Sequence, residues 1–210
     1  RRFRVSSIEA TYVTNAMIDF FAASEKFCRH LHVPLQSGDD RILKAMRRPY
    51  CRAEYLDLID RLRDRIPGIG IGGDVMVGFP GETEAAFQNT YDLISKSPMV
   101  YLHVFPYSPR GNTPAARMAD QVDPKVKKRR AGILRELGGQ KARAFQGQFI
   151  GKRLHVLFEN RRESSTTFLQ GVSDNYIRCY APGPDSAFDQ IHQVHLNQEK
   201  DGRMVGEIVD

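Results

Sequence analysis

The sequence has few cysteines and no long apolar run. Its three cysteines, Cys28, Cys51 and Cys179, are odd in number and widely separated, which argues against a disulfide framework. Their spacing also matches no zinc or iron–sulfur signature, so we expect no metal ligands and interpret them as partly buried hydrophobic side chains in a reducing, cytoplasmic compartment. Because the apolar runs are only a few residues long, we expect no membrane-spanning segment and no membrane partner.

The sequence also lacks an initiator methionine and a secretion signal. It opens on Arg1-Arg2-Phe3-Arg4, which is basic but is not followed by the apolar core of a signal peptide. Since these first residues already belong to an expected strand, we interpret the chain as a fragment of a longer protein. Its 210 residues, 41% of them hydrophobic, suffice for one or two domains with real cores.

Positive charge is concentrated in one segment. The net charge is +6, and residues 125–143 alone carry eight Lys or Arg against one acid. Such a stripe suits a polyanion, most simply nucleic acid, although a solvated helix face has the same appearance. Its densest part is the run Lys127, Lys128, Arg129 and Arg130.

Strands and helices alternate over the first ~115 residues, which is the pattern of a parallel sheet. The expected strands are 2–8, 30–35, 70–77 and 101–106, and the expected helices are 14–22, 39–46, 53–66 and 84–95. A Pro-rich surface loop should follow over 107–121. Asp123-Pro124 then begins a basic helix that extends towards Phe149, weakened at Gly138-Gly139.

After Gly151 the apolar residues alternate with period two. Five short strands are expected at 154–159, 167–172, 176–180, 190–196 and 204–209, separated by turn residues. This pattern predicts a small five-stranded antiparallel β-barrel, a fold that binds oligonucleotides in some proteins and is purely structural in others. We therefore divide the chain into an α/β domain over 1–146 and a β-barrel domain over 147–210.

The segment 72–83 is the most informative in the chain. It indicates a buried strand that ends in a Gly/Pro turn and enters a helix capped by Thr83. Gly78 and Gly81 allow a sharp bend or a close approach to a ligand. The carboxyl ends of parallel strands are where α/β proteins bind ligands, although turn chemistry alone also explains these residues.

Four segments in this order carry a family resemblance: Arg4–Glu9, His30–Gly38, Gly73–Thr83 and His103–Arg110. Together they resemble the radical S-adenosylmethionine methylthiotransferases, and the resemblance covers nearly the whole chain. It implies the C-terminal part of an open (β/α)6 radical SAM barrel. The terminal β segment resembles that family's small RNA-binding barrel, the OB-like TRAM domain.

The resemblance implies cleavage of S-adenosylmethionine by a [4Fe–4S] cluster and methylthiolation of transfer RNA. The family's cluster loop, Cys-x3-Cys-x2-Cys, is absent from this sequence. We therefore expect the cluster ligands in a missing N-terminal half of the same enzyme and expect this chain to be inactive alone.

The form of 103–110 is most similar to the branch that acts on N6-threonylcarbamoyladenosine next to the anticodon. Sister branches act on isopentenyl-adenosine in transfer RNA or on an aspartate of a ribosomal protein. The alternative outside enzymes is a free-standing RNA-binding module that uses the basic helix and the barrel without catalysis.

The resemblance also implies cofactor-binding residues at the strand ends. Ser7 and Glu9 are placed to contact the cofactor ribose, or are a helix cap and a surface acid. Gln36 and Ser37 are placed at the methionyl group, or form an ordinary polar turn. The residues expected to pack on the adenine are Val77, Gly78 and Phe79.

Substrate contacts are assigned to cations. Arg110 is our candidate for a substrate phosphate or the threonyl carboxylate. The four consecutive cations 127–130 are expected to contact RNA. His32, His103 and Asp74 are expected to have structural roles, and no catalytic residue is assigned.

Overall fold

Four strands form the first sheet of the computed structural model, which describes residues 2–200 and 202–209. They are β1 (Phe3–Val5), β2 (Phe27–His32), β3 (Gly70–Val77) and β4 (Tyr101–Pro106), in the order β1-β2-β3-β4. β3 and β4 pair in parallel. Beyond β2 the chain keeps the same direction along β3, because the Val33 and Leu35 amides donate to the carbonyls of Gly72 and Asp74. The predicted parallel sheet is confirmed.

Five α-helices accompany the strands in the described residues: α1 (Asn15–Ala23), α2 (Asp40–Ala45), α3 (Arg52–Arg65), α4 (Glu84–Lys96) and α5 (Pro124–Gly147). Short 3-10 turns cover Ala10–Tyr12, Pro114–Arg117 and Asp185–Ala187. Side-chain caps start three helices, since Thr14, Asp39 and Thr83 each accept a hydrogen bond from a backbone amide three residues later. None of the described helices is long and apolar enough to cross a membrane.

The two faces of β3 differ in what they carry. Val75 and Val77 are fully buried in the hydrophobic core, as is Tyr55 of α3, whose hydroxyl donates to the Val33 carbonyl. Asp74 and Met76 alternate with the two valines and are only partly buried. Asp74 and Met76 therefore lie on the face of β3 opposite that core.

α5 continues without a break through the two glycines expected to weaken it. A side chain at Gly138 would lie 3.4 Å from Leu102 of β4. Glycine at this position lets the helix approach the sheet closely, so tertiary packing outweighs the low helix propensity of the residue.

The chain divides into two compact units. One comprises 5–25 and 31–141, and the other 1–4, 26–30 and 142–210. We call them the α/β unit and the barrel unit. The five strands of the barrel unit are β5 (Arg153–Arg162), β6 (Leu169–Ser173), β7 (Arg178–Ala181), β8 (Ile191–Lys200) and β9 (Arg203–Ile208). They close into a ring in the order β5-β6-β7-β9-β8 around a core that includes Phe158, Val194 and Leu196.

The expectation of an antiparallel barrel was wrong at one pair of strands. β7 and β9 run parallel, with Cys179 opposite Met204, whereas the other four pairs are antiparallel. The reason is parity, because a closed ring with an odd number of strands cannot alternate direction throughout. The closed barrel of five short strands is confirmed, and its sheet is mixed.

Candidate functional site

A cavity of about 590 Å³ opens in the α/β unit at the carboxyl ends of β3 and β4. Its size lies within the ~300–1,000 Å³ typical of small-molecule sites. The apolar part of its wall includes Met46, Met76, Phe79, Phe105 and Tyr107. Three arginines also line it, namely Arg47, Arg48 and Arg110. The cavity therefore combines an aromatic and thioether surface with positive charge.

Three of the residues expected at the site, Gln36, Phe79 and Arg110, share this cavity. Gln36 follows β2 and is held against β3, since its amide donates to the Asp74 carbonyl and its carbonyl accepts from Met76. Phe79 lies in the loop after β3, where its ring meets Tyr107 edge to face. The strand-end motifs thus converge on one cavity.

Strained backbone accompanies this edge of the sheet. Ser7, Gln36 and Arg47 have φ angles of 53°, 65° and 58°, in the left-handed region that non-glycine residues rarely occupy. Such residues cost roughly 1–3 kcal/mol each and concentrate at ligand sites, where the surrounding structure holds them in place. Two of the three line the cavity, which supports a functional role for it.

Ser37, Val77 and Gly78 do not line the cavity. Ser37 is fully buried, and its hydroxyl accepts from the Asp39 amide and lies 3.4 Å from the Thr90 hydroxyl. Val77 is in the core. At Gly78 the space beside the backbone is filled by the aliphatic part of Lys127, 2.1 Å from where a Cβ would stand. Ser37 lies after β2, Val77 ends β3 and Gly78 follows it, so all three are close in the chain to residues that line the cavity.

Glu9 reaches the cavity through Arg48. One carboxylate oxygen of Glu9 accepts from the Arg48 guanidinium at 3.0 Å. The other oxygen, the Arg48 Nε and the Tyr107 hydroxyl are buried and have no hydrogen-bond partner among the described residues. Unsatisfied buried polar atoms are rare in folded proteins, so these groups are available to a polar ligand. Ser7 is exposed.

The four consecutive cations of α5 have different environments. Lys127 is half-buried and donates to the Tyr107 carbonyl, while Lys128 and Arg129 are exposed and Arg129 pairs with Glu84. Arg130 is buried and bonds the Glu82 carboxylate at 2.7 Å. Its side chain is only 4% exposed, so we no longer include Arg130 among the expected RNA contacts.

Glu82 is the centre of the loop that follows β3. Its Oε2 accepts from the Gly78 amide at 2.6 Å as well as from Arg130. Burial raises the pKa of Glu82, and the Gly78 hydrogen bond and the Arg130 charge oppose that rise. The pair was not recognised from the sequence, because its members lie 48 residues apart.

A cluster of two histidines and an aspartate also escaped the sequence analysis. Asp74 Oδ1 lies 3.1 Å from His32 Nε2 and 3.3 Å from His103 Nδ1. The Tyr101 hydroxyl lies 3.2 Å from the other His32 nitrogen. The sequence held one indication of this cluster. Asp74 and His103 lie equally far before the ends of their expected strands, and these two strands are neighbours.

The sequence and the fold are similar to those of known proteins. The Radical SAM superfamily model matches residues 3–94. Over those residues the chain is similar to the radical SAM superfamily. It is 39% identical over 198 residues to the threonylcarbamoyladenosine tRNA methylthiotransferase MtaB of Bacillus subtilis, covering 93% of this chain and 44% of that protein. It is 33% identical over 208 residues to the tRNA-2-methylthio-N(6)-dimethylallyladenosine synthase of Alkaliphilus oremlandii, covering 99% of this chain and 44% of that protein.

The predicted family resemblance is therefore confirmed, and the chain spans about half the length of the curated relatives it matches. Among solved structures, coproporphyrinogen III oxidase HemN of Escherichia coli is similar, with a TM-score of 0.50 and 18% identity. That similarity covers 71% of this chain and 34% of HemN, and it concerns the fold alone.

The three cysteines do not form a ligand set for an iron–sulfur cluster. Cys28 and Cys179 are buried, and Cys51 precedes α3, where its amide donates to Glu54. Burial raises the pKa of the Cys28 thiol and raises that of Cys179 to about 12. Thiolates are the form that binds iron, so these residues do not fit the cluster that the superfamily uses.

Proposed function

We propose that this chain is the C-terminal part of a transfer-RNA methylthiotransferase that uses S-adenosylmethionine. The observation that carries the proposal is the similarity to two methylthiotransferases over 93% and 99% of the chain, through both the α/β unit and the barrel unit. The strand-end cavity supports it, because a small-molecule cofactor needs a site of this size and composition. The cysteines support a cluster held by another part of the enzyme. Their free thiols accord with a cytoplasmic enzyme.

S-adenosylmethionine fits the residues around the cavity. When bound, this cofactor supplies the radical chemistry and the methyl group, while the protein positions it. Phe79 offers an aromatic edge to the adenine, and Gln36 offers an amide to the amino-acid part. Glu9 and Arg48 provide unsatisfied polar atoms near the same wall. Ser37, Val77 and Gly78 flank the residues that make these contacts.

For the substrate we propose N6-threonylcarbamoyladenosine. Its threonyl group carries a carboxylate, and a guanidinium binds a carboxylate through two parallel hydrogen bonds. Arg110 and Arg47 are exposed at the cavity and able to supply such a contact. An isopentenyl group is apolar and offers no acceptor that a guanidinium could bind. The arginines thus favour the threonylcarbamoyl branch.

Transfer RNA is the proposed partner, bound through the exposed cations of α5 and the barrel unit. Lys128 and Arg129 are exposed, and the aliphatic part of Lys127 packs beside Gly78 while its ammonium lies near Tyr107. Phosphate contacts by such cations carry no base information, so they position the RNA while the cavity selects the nucleoside.

The test is nucleoside analysis in cells. The full-length protein is expressed in a bacterial strain that lacks its own methylthiotransferases. Transfer RNA is then digested, and its nucleosides are identified by mass spectrometry. We expect 2-methylthio-N6-threonylcarbamoyladenosine to appear and the unmodified precursor to decrease.

Two other results would redirect the assignment. A methylthio group on isopentenyl-adenosine would retain the enzyme class and reject the proposed substrate. Unmodified RNA together with a methylthiolated ribosomal protein would reject the RNA substrate. If the folded, cluster-loaded protein binds transfer RNA and modifies nothing, the non-catalytic RNA-binding alternative is correct.

A further inference from the structure

We propose that His32, Asp74 and His103 form a binding site for a divalent transition-metal ion. Zn²⁺ is the ion that best fits these ligands. The three residues belong to the neighbouring strands β2, β3 and β4, and their ligand atoms all lie within 4.8 Å of one another. Two imidazoles and one carboxylate are a donor set suited to Zn²⁺ and to related borderline cations. None of the three residues is among those that line the cavity.

The distances suit a tetrahedral ion. With bonds of about 2.0–2.1 Å, neighbouring ligand atoms of tetrahedral zinc lie ~3.3 Å apart. Asp74 Oδ1 is 3.1 Å from His32 Nε2 and 3.3 Å from His103 Nδ1. Two of the distances between ligand atoms in a tetrahedral site are therefore already present. Three protein ligands leave a fourth position for water or another small ligand.

The fold orients His32 through Tyr101. Gly72 has no side chain, and the Tyr101 ring occupies that space, 1.9 Å from where a Cβ would stand. The ring thereby crosses β3 and brings its hydroxyl to 3.2 Å from His32 Nδ1. When Nδ1 donates to this hydroxyl, Nε2 carries a lone pair directed at the Asp74 carboxylate. Two electron-rich atoms at that separation repel unless a proton or a metal cation lies between them.

Exposure increases across the site from one ligand to the next. The His32 side chain is 7% exposed, Asp74 27% and His103 53%. The site is thus anchored in the sheet and open on one side, so an ion can enter without unfolding the strands. Phe105 and Met76, each two residues further along its strand, line the cavity and lie on the same face of the sheet.

The competing explanation is a hydrogen-bond network without metal. In that arrangement the Tyr101 hydroxyl donates to His32 Nδ1, and protonated ring nitrogens of His32 and His103 donate to Asp74. Direct metal binding separates the two explanations. The 210-residue chain is the right material for this test, because its cysteines offer no cluster site.

The experiment is titration of the 210-residue chain with Zn²⁺ against a chromophoric chelator, repeated with Co²⁺ for its absorption spectrum. We expect one equivalent to bind and the Co²⁺ complex to lack thiolate charge-transfer bands. Tyr101→Phe should weaken binding by about 10- to 100-fold, as loss of an orienting partner does. His103→Ala and Asp74→Asn should weaken it further. His155→Ala removes an exposed histidine of the barrel unit and should leave binding unchanged.

Each variant is first compared with the parent chain by its unfolding midpoint without metal. If Asp74→Asn disturbs folding, His103→Ala and Tyr101→Phe carry the test, because His103 is half exposed and Tyr101→Phe removes only a hydroxyl. Three results would overturn the proposal: no saturable binding at one equivalent, binding that survives His103→Ala, or a thiolate spectrum. None of them would affect the methylthiotransferase proposal, which does not use this site.

Discussion

The carboxylate of Glu82 accepts a 2.7 Å hydrogen bond from the Arg130 guanidinium, and neither side chain exposes more than 4% of its surface. This contact joins α5 to the loop that follows β3. The same carboxylate oxygen accepts from the Gly78 amide, so a single pair holds both the loop and the helix. A basic residue that resembles an RNA contact in the sequence is thus a structural element of the α/β unit.

The first prediction concerns the stability of that unit. Arg130→Ala leaves the Glu82 charge buried without its partner, which typically costs about 3–5 kcal/mol. The free energy of unfolding, measured with urea, should fall by that amount. Arg129→Ala is the matched control, because Arg129 is an exposed neighbour and its bond to Glu84 should be worth ~0–1 kcal/mol. Equal losses in the two variants would contradict the structural role of Arg130.

The second prediction concerns Arg110 and rests on the proposed substrate. A hydrogen bond to a charged group contributes about 1.5–3 kcal/mol, so Arg110→Gln should lower kcat/KM for threonylcarbamoyl-modified transfer RNA by ~10- to 150-fold. The kcat/KM of the full-length enzyme is measured with this transfer RNA as the only varied substrate. Arg117→Gln removes an exposed arginine that does not line the cavity, and it should retain activity. An Arg110→Gln enzyme with parental kcat/KM would remove Arg110 from the site.

Local pattern was sufficient to predict much of the α/β unit. The expected strands 70–77 and 101–106 coincide with β3 and β4, because apolar runs bounded by Gly and Pro define both ends. The second strand was expected at 30–35 and observed at Phe27–His32. Residues after His32 still bond to β3, but Gln36 adopts a positive φ, which the sequence does not reveal.

The features that the sequence did not reveal depend on contacts between residues or strands that are distant in the chain. Arg130 and Glu82 are 48 residues apart, and nothing near Arg130 distinguishes it from the exposed Arg129. The parallel pairing of β7 with β9 is likewise set by closure of the barrel, not by either strand alone. Gly78 was expected at a cofactor, whereas the stem of Lys127 fills the space beside it.

The third prediction is a pH dependence located in the barrel unit. Hydrogen bonds from Ser165 and Thr166 to the Glu163 carboxylate, together with the Arg203 charge, lower its pKa from 4.5 to about 2. A lowered pKa in the folded state stabilises the fold above pH 4.5, and this contribution disappears as the pH falls towards 2.

Glu163→Gln removes the titrating group. The difference in urea midpoint between the parent chain and this variant should therefore be largest above pH 4.5 and shrink as the pH is lowered through that window. The double variant Ser165→Ala, Thr166→Val keeps the carboxylate and removes the hydroxyl donors. It should reproduce part of the pH-dependent difference in urea midpoint. A difference that does not change with pH would show that the turn does not perturb Glu163.

The fourth prediction concerns the iron–sulfur cluster. The 210-residue chain should bind none after anaerobic reconstitution, because its cysteines are two buried thiols and one at the start of α3. Iron and sulfide analysis and the visible absorption spectrum provide the measurement. On the proposed function, full-length protein treated in parallel should take up iron and sulfide. A stoichiometric cluster on the 210-residue chain would contradict the conclusion that its thiols do not form a ligand set.

The fifth prediction concerns RNA affinity, which we expect to depend on the exposed cations of α5. Lys125, Lys128 and Arg129 are exposed, whereas Arg130 is buried. Phosphate contacts release counterions, so affinity for transfer RNA should fall steeply with salt. Replacing the three exposed cations with Gln should flatten the log–log salt slope by up to ~2, at roughly 0.7 per contact with a single-stranded site.

The control for this experiment removes the same charge elsewhere. Lys44→Gln, Arg63→Gln and Lys96→Gln neutralise three exposed cations on α2, α3 and α4. Binding is measured by fluorescence anisotropy across a series of salt concentrations for all three proteins. If net charge alone attracts the RNA, both triple variants should change the slope equally. A change confined to the α5 variant identifies a phosphate-binding surface, and an unchanged slope in that variant means that the basic stripe is a solvated helix face.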